Sequence, residues 1–330
     1  MGWKFINADD GEARAARVPG ARRPPLVVPS KLVQPLVEHW PTLGGVETRA
    51  LELEGHGAPL LLLHGWADSA DTWRLALDRL ARRGRRALAV DLPGFGDAAA
   101  LAPGPILPQL DGFARAAVEY VAPQGGAIVC GNSLGGCVAL RLAEQTDLGL
   151  GGVVPVAPAG LDMARWFMLV ERDVVLRALL AAPVPLPGFA VRRAVGEVYR
   201  RLAFAHPGGV DPRVVATFAR HLGDRGSVAR RLALGRRLLP ELRWPFRPER
   251  IACPALLVWG ARDLMVFQTG ARRIIDAVDG ARLVVIDDCG HCPQIEATER
   301  LCDLLLDFPE PSAQRASRSS SAWIARSDSA

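Results

Sequence analysis

The chain has 330 residues, 49% of them hydrophobic and 23% charged, with a formal net charge of +5. That balance supports a globular protein with a sizeable core and excludes disordered and fibrous classes. No apolar stretch approaches the ~20 residues that a membrane-spanning helix needs. Residues 1–20 carry Asp9, Asp10 and Glu12 without the apolar run of a signal peptide, so a cytoplasmic protein with reduced cysteines is expected.

Residues 1–45 form a Pro- and Arg-rich arm without a clear period. From Val46 the pattern becomes regular. Glu47 to Leu53 alternates like a strand, Gly55-His56-Gly57 reads as a turn, and Leu60 to Leu63 reads as a buried strand. Asp71 to Arg83 is helical, with Leu75, Leu77 and Leu80 on its apolar side. Ala87 to Val90 is a strand running into Asp91-Leu92-Pro93-Gly94-Phe95-Gly96, and Phe113 to Val121 is a helix. Gly126 to Cys130 is a strand, Gly136 to Glu144 a helix, and Gly152 to Ala157 a strand. Residues 158–248 then hold helical and Pro-rich stretches with no convincing strand. Alternation resumes with strand Ala255 to Trp259, helix Ala271 to Val278, strand Arg282 to Ile286 and helix Glu296 to Phe308. The Ser-rich tail 309–330 lacks apolar content and reads as disordered. Alternating strands and helices imply a doubly wound, mostly parallel α/β sheet, in parts 46–157 and 249–308, with a helical insertion between strands.

The basicity is Arg-driven, since Lys4 and Lys31 are the only lysines. Residues 159–250 hold 17 Arg and 8 Asp or Glu, a net +9 that leaves −4 for the rest of the chain. Such a segment can attract anionic substrates or an anionic membrane surface. The blander alternative is a solvated arginine face, and no nucleic-acid partner is expected.

Gly131-Asn132-Ser133-Leu134-Gly135 is the strongest motif, because it joins a buried strand to a helix. A G-x-S-x-G in that setting is a nucleophile elbow, whose strained turn projects the serine hydroxyl into a cleft. A serine hydroxyl needs a base and a group that orients the base. His291, in Asp288-Cys289-Gly290-His291-Cys292-Pro293, follows a late strand and is the base candidate. Asp263, in Trp259-Gly260-Ala261-Arg262-Asp263, follows the preceding strand and is the acid candidate; Asp162 is the alternative acid. Leu134, just after the serine and at a helix start, offers a backbone N–H to an oxyanion. Cys289-Gly290-His291-Cys292 also has the form of a redox C-x-x-C, but it lacks a thioredoxin-like context, and no second ligand pair marks a metal site.

Leu63-His64-Gly65-Trp66, Asp91 to Gly96, the elbow, Trp259 to Asp263 and Gly290-His291 occur in an order that resembles the α/β-hydrolase superfamily from about Val46 to Phe308. The resemblance implies that Ser133, Asp263 and His291 meet at one cleft and that residues 158–248 form a helical cap over it. It also implies that the Trp66 backbone N–H is the second oxyanion donor, with His64 bracing that loop, and that no cofactor or metal is required. The activity implied is a serine esterase or lipase-like hydrolase acting on a small-molecule ester or acyl substrate. A serine at the nucleophile position argues against haloalkane dehalogenases and epoxide hydrolases, which use Asp. A single Gly before Trp66 resembles the branch that takes longer acyl chains. Trp166 to Val170, with Leu176, Leu179 and Leu180, could line an acyl pocket or be ordinary helix core. The alternatives are a carbon–carbon bond hydrolase of ring-cleavage products, an acyltransferase, and a non-catalytic ligand-binding protein. Neither substrate nor oligomeric state is legible.

Overall fold

A computed structural model of the chain describes residues 26–28, 36–165 and 187–309. Most of the expected arm, the stretch containing Trp166 to Val170, Leu176, Leu179 and Leu180, and the tail from residue 310 lie outside the described residues.

In chain order the strands are β1 (Leu26–Val28), β2 (Leu36–His39), β3 (Thr42–Leu43), β4 (Val46–Glu47), β5 (Ala50–Leu53), β6 (His56–Leu63), β7 (Arg85–Val90), β8 (Ile128–Asn132), β9 (Gly152–Val156), β10 (Asp162–Met163), β11 (Leu256–Gly260), β12 (Val266–Phe267) and β13 (Arg282–Ile286). Nine of them form one sheet in the order β1-β2-β5-β7-β6-β8-β9-β11-β13. From β7 to β13 all pairings are parallel, whereas β1, β2 and β5 pair antiparallel at one edge. The mostly parallel sheet expected from the alternation is present. Leu36 to His39, read from the sequence as arm, is instead a sheet strand, and His56-Gly57 begins β6 rather than forming a free turn. Both departures lie where short polar or Gly-containing segments hide the period-2 signal.

The described helices are α1 (Arg74–Arg82), α2 (Leu107–Val121), α3 (Leu134–Ala143), α4 (Gly188–Ala203), α5 (Pro212–Ala219), α6 (Arg225–Leu238), α7 (Arg272–Ile275), α8 (Pro293–Glu296) and α9 (Thr298–Leu306). No described helix is long and apolar enough to cross a membrane. The expected helix 71–83 begins as a 3-10 turn over Ala70–Trp73, and 296–308 is broken at Ala297 into α8 and α9.

The sheet separates two cores. Leu61 and Leu63 of β6 belong to one with Leu88, Val90 and Val129, while Leu60 and Leu62 belong to the other with Ala87, Ala89, Ile128 and Cys130. Successive side chains of a strand point to opposite faces, so a strand buried on both sides must be apolar throughout. All four leucines are fully buried. The strand pattern Leu60 to Leu63 therefore fixes β6 at the centre of the sheet.

Helices α4 to α6 lie in the sequence between β9 and β11. The insertion is not purely helical: Asp162–Met163 pairs antiparallel with Val266–Phe267, a two-residue ladder too short to leave a sequence period. That ladder fastens the start of the insertion to the loop after β11, and the Ala164 N–H donates to the Met265 carbonyl at 2.9 Å.

Candidate active site

Ser133 stands between the end of β8 and the start of α3 with φ +52° and ψ −109°, a strained conformation for a residue with a Cβ. Its neighbours must be glycine. A Cβ on Gly131 would lie 2.2 Å from the Gly135 carbonyl carbon, and one on Gly135 would lie 2.3 Å from the Leu63 carbonyl oxygen. Strand, turn and helix therefore close on one another, and the serine side chain is left to face outward. Ser133 is 9% exposed and lines a small apolar cleft with Trp66, Leu134, Ala159, Met163, Gly235, Leu238, Leu239, Leu242, Met265 and Val266.

His291 and Asp263 are brought together. The His291 Nδ1 lies 2.7 Å from Asp263 Oδ2, with both side chains buried. The carboxylate is an acceptor, so Nδ1 carries the proton and Nε2 is left as the free base. Asp263 is held in turn by the backbone N–H groups of Met265 and Val266, which donate to Oδ1 at 2.7 and 3.1 Å. Gly260 makes the approach of the two loops feasible, because a Cβ there would lie 2.1 Å from the Gly290 carbonyl oxygen. The alternative acid, Asp162, is exposed and accepts from the Thr269 hydroxyl instead. Among the described residues Ser133 Oγ and His291 form no hydrogen bond.

The two N–H groups expected to face an oxyanion, those of Trp66 and Leu134, have no acceptor among the described residues. Trp66 sits in a loop whose next residue, Ala67, is also at positive φ, +57°. His64 braces that loop: its Nδ1 donates to the Gly65 carbonyl at 2.7 Å and its Nε2 accepts from the Leu92 N–H at 2.8 Å. Burial lowers the His64 pKa to about 4, keeping the ring in the neutral form that this pair of bonds requires. Asp91, fully buried, accepts from the N–H groups of Ala70 and Asp97 and from Arg49. Gly96 must lack a side chain because a Cβ would lie 2.3 Å from the Asp91 carboxylate. The Asp91 to Gly96 motif is thus a clamp on the Trp66 loop, and Phe95 meets the Trp66 ring edge-on at 5.2 Å.

Other residues escaped the sequence reading. Asn132 donates through Nδ2 to the His291 carbonyl at 2.9 Å and accepts at Oδ1 from Gln294 Nε2 at 3.2 Å. Gln294 Nε2 also reaches the Thr72 hydroxyl at 3.2 Å. This buried chain ties the elbow to the His291 loop. Glu296 accepts from the Gly290 and His206 N–H groups, and the His291 N–H donates to the Ala203 carbonyl. The position of Asn132 inside the elbow motif was the only available signal, since its partners are remote in sequence.

The C-x-x-C has a structural character. Cys289 and Cys292 are buried free thiols; burial pushes the first up to about 12 and the second well above its usual range. Thiol exchange needs an accessible thiolate, which neither provides.

A model described as the alpha/beta hydrolase family matches residues 60–304. The chain is 27% identical over 274 residues to the dihydrolipoyllysine-residue acetyltransferase component of the acetoin cleaving system of Pseudomonas putida, covering 81% of this chain and 67% of that one. It is 29% identical over 254 residues to the pimeloyl-(acyl-carrier protein) methyl ester esterase of Nitrosomonas europaea, covering 76% and 95%. A solved serine hydrolase involved in carbazole degradation shares the fold, with a TM-score of 0.65 at 23% identity over 83% of this chain and 98% of that one. With its mostly parallel sheet and flanking helices, the chain belongs to the alpha/beta hydrolase family.

Proposed function

We propose that the protein is a serine hydrolase of carboxylic esters or related acyl compounds, with Ser133 as nucleophile, His291 as base and Asp263 as the group that orients it. The observation that carries this reading is a strained serine lining an apolar cleft whose other lining residues include Trp66 and Leu134, both with N–H groups that have no acceptor among the described residues. The His291–Asp263 pair completes the set. His291 Nε2 takes the Ser133 proton as Oγ attacks the acyl carbon. The developing oxyanion accepts from the N–H groups of Trp66 and Leu134, each of which is worth roughly 3 kcal/mol to the transition state. His291 then protonates the leaving group, and water, deprotonated by the same nitrogen, releases the acid from the acyl-enzyme. Asp263 holds the tautomer throughout. Serine–histidine hydrogen bonds commonly tighten only around bound substrate, which accommodates the open Ser133–His291 pair.

Residues 158–248 serve in this proposal as a cap. Gly235, Leu238, Leu239 and Leu242 of the insertion line the cleft together with Met265 and Val266 of the core. An apolar acyl chain is the body that these side chains accept.

Hydrolysis of p-nitrophenyl esters from acetate to palmitate tests the reading. Ser133→Ala and Asp263→Asn should each lose about a thousandfold or more in kcat, with circular dichroism unchanged, and the best chain length measures the cleft. Turnover that survives Ser133→Ala overturns the assignment. A folded wild type inert on every ester favours carbon–carbon hydrolase, acyltransferase or binding readings.

A further inference from the structure

Arg231, on α6, is a half-buried cation whose surroundings differ from those of Arg49 and Arg141. Arg49 is bonded to Asp71 and Asp91, and Arg141 to Asp111. Arg231 has no carboxylate partner among the described residues. Its Nη1 donates to the Gly94 carbonyl, and its guanidinium lies 4.8 Å over the Phe95 ring. Nε and Nη2 have no acceptor among the described residues, and neither is among the buried unsatisfied atoms, so this edge is reached by solvent. The Nε–Nη2 edge is one that forks onto a carboxylate through two parallel N–H···O bonds.

Its position relates it to the cleft. Arg231, Gly235 and Leu238 follow one another along one face of α6 at i, i+4 and i+7. Gly235 and Leu238 line the cleft. Arg231 itself is not among the lining residues; Gly235, one turn away on the same face, is. The Phe95 ring under Arg231 is the one that meets Trp66, itself a cleft residue. Arg231 also lies within electrostatic reach of His64, in the Trp66 loop. Burial and neighbouring Arg230 both disfavour its charge, and no described anion offsets them. A cation left in this state gains most from an anion that arrives with the ligand.

We propose that Arg231 binds a carboxylate on the substrate, so that the substrate class is an ester with an apolar acyl chain and an anionic far end, such as a half-ester of a dicarboxylic acid. This deepens the ester-hydrolase reading and rests on it. The bond to Gly94 holds the guanidinium in place through Nη1 and leaves the forked edge for the ligand. The apolar wall of Leu238, Leu239 and Leu242 covers the methylene chain.

The test compares two p-nitrophenyl esters of equal length, the monoester of adipic acid and the hexanoate, on the full-length wild type, Arg231→Met and Arg231→Lys. Arg231→Met should lower kcat/KM for the adipate monoester at least tenfold, mainly through KM, and change the hexanoate by less than twofold. Arg231→Lys should fall between. An equal loss on both esters makes Arg231 a strut between α6 and Gly94, and no loss on either also overturns the proposal. Calorimetric binding of adipate to Ser133→Ala, with and without Arg231→Met, gives a readout independent of turnover. If no ester is hydrolysed but adipate binds and Arg231→Met abolishes that binding, the ester-hydrolase reading fails while the anion site stands. Absent or Arg231-independent binding of adipate overturns the site.

Discussion

The loops at the ends of the parallel strands and the helical insertion solve different problems. In the loops, residue identity is dictated by backbone atoms. Gly131, Gly135 and Gly260 each face a carbonyl group within 2.3 Å of where a Cβ would stand, and Asp91 and Asp263 are fastened by backbone N–H groups. In the insertion, contacts are made by side chains that other residues could replace. Arg200 and Arg201 share Glu197, Arg213 pairs with Asp211, and Phe189 and Val198 are exposed. Exposed pairs of this kind are worth little. The insertion nevertheless reaches three loops of the site, through Ala203 to His291, Ala164 to Met265 and Arg231 to Gly94. In the proposed reaction the loops carry the chemistry, while the insertion fastens to three of them and supplies part of the cleft lining.

The largest effect that this contrast implies comes from one methyl group placed in each region. Gly135→Ala puts a Cβ 2.3 Å from the Leu63 carbonyl oxygen, where only backbone could move. The expected cost exceeds about 4 kcal/mol, seen as loss of soluble protein. Gly208→Ala, in the insertion, meets nothing within 4 Å and should leave the urea midpoint within about 0.5 kcal/mol of wild type. A soluble, active Gly135→Ala would show that the elbow is less tightly closed than its geometry demands.

The same contrast explains what the sequence made legible. Ser133, Asp263 and His291 could be named as candidates because each lies in a short motif whose glycines report a backbone constraint. His64 could be given a bracing role, but its partner Leu92 lies 28 residues away, and no local pattern announces such a bond. Strand β2 was missed because Leu36 to His39 is half-buried at the antiparallel edge and carries no buried run. The insertion's ladder of β10 and β12 is two residues long, below any period that could be counted. Arg231 was visible only as part of a net charge; that it lacks a carboxylate is a property of the folded neighbourhood.

A second prediction concerns Asp68, a buried residue two positions after Trp66 that lies within electrostatic reach of Tyr199 in the insertion. Burial raises its pKa to about 7, with the Ser69 N–H and Thr72 favouring the charged form against that trend. In the unfolded chain an aspartate titrates near 3.9. Between those values the folded protein holds a proton that the unfolded protein has released, so stability falls as pH rises from about 4 to about 7. His64 acts in the opposite sense: held neutral with a pKa of about 4, it costs stability as pH falls below its unfolded value of about 6.5. Asp68→Asn should therefore gain up to a few kcal/mol over wild type at pH 8 and nothing at pH 4. Urea midpoints at the two pH values measure this, and an equal difference at both would remove Asp68 titration from the account.

The third prediction sharpens the boundary between holding a loop and doing chemistry. Asn132 touches neither the His291 ring nor, in the proposed reaction, the acyl group; it fixes the His291 backbone carbonyl at 2.9 Å. Asn132→Ala strands that carbonyl in a buried site and leaves Gln294 Nε2 with the Thr72 hydroxyl alone, where Gln294 Oε1 already lacks a partner among the described residues. Leaving such groups unpaired costs about 1–3 kcal/mol. The His291 loop should loosen against the elbow, so kcat on the best p-nitrophenyl ester should fall about tenfold, the ratio equivalent to 1.4 kcal/mol of barrier, with KM little changed. Asn132→Asp restores an acceptor for Gln294 but sets a buried carboxylate oxygen against the His291 carbonyl, and should recover neither stability nor kcat. If Asn132→Asp recovers both, the Gln294 side of the chain positions the histidine; if Asn132→Ala leaves kcat intact, the bonds from the insertion at Ala203 suffice to hold the base.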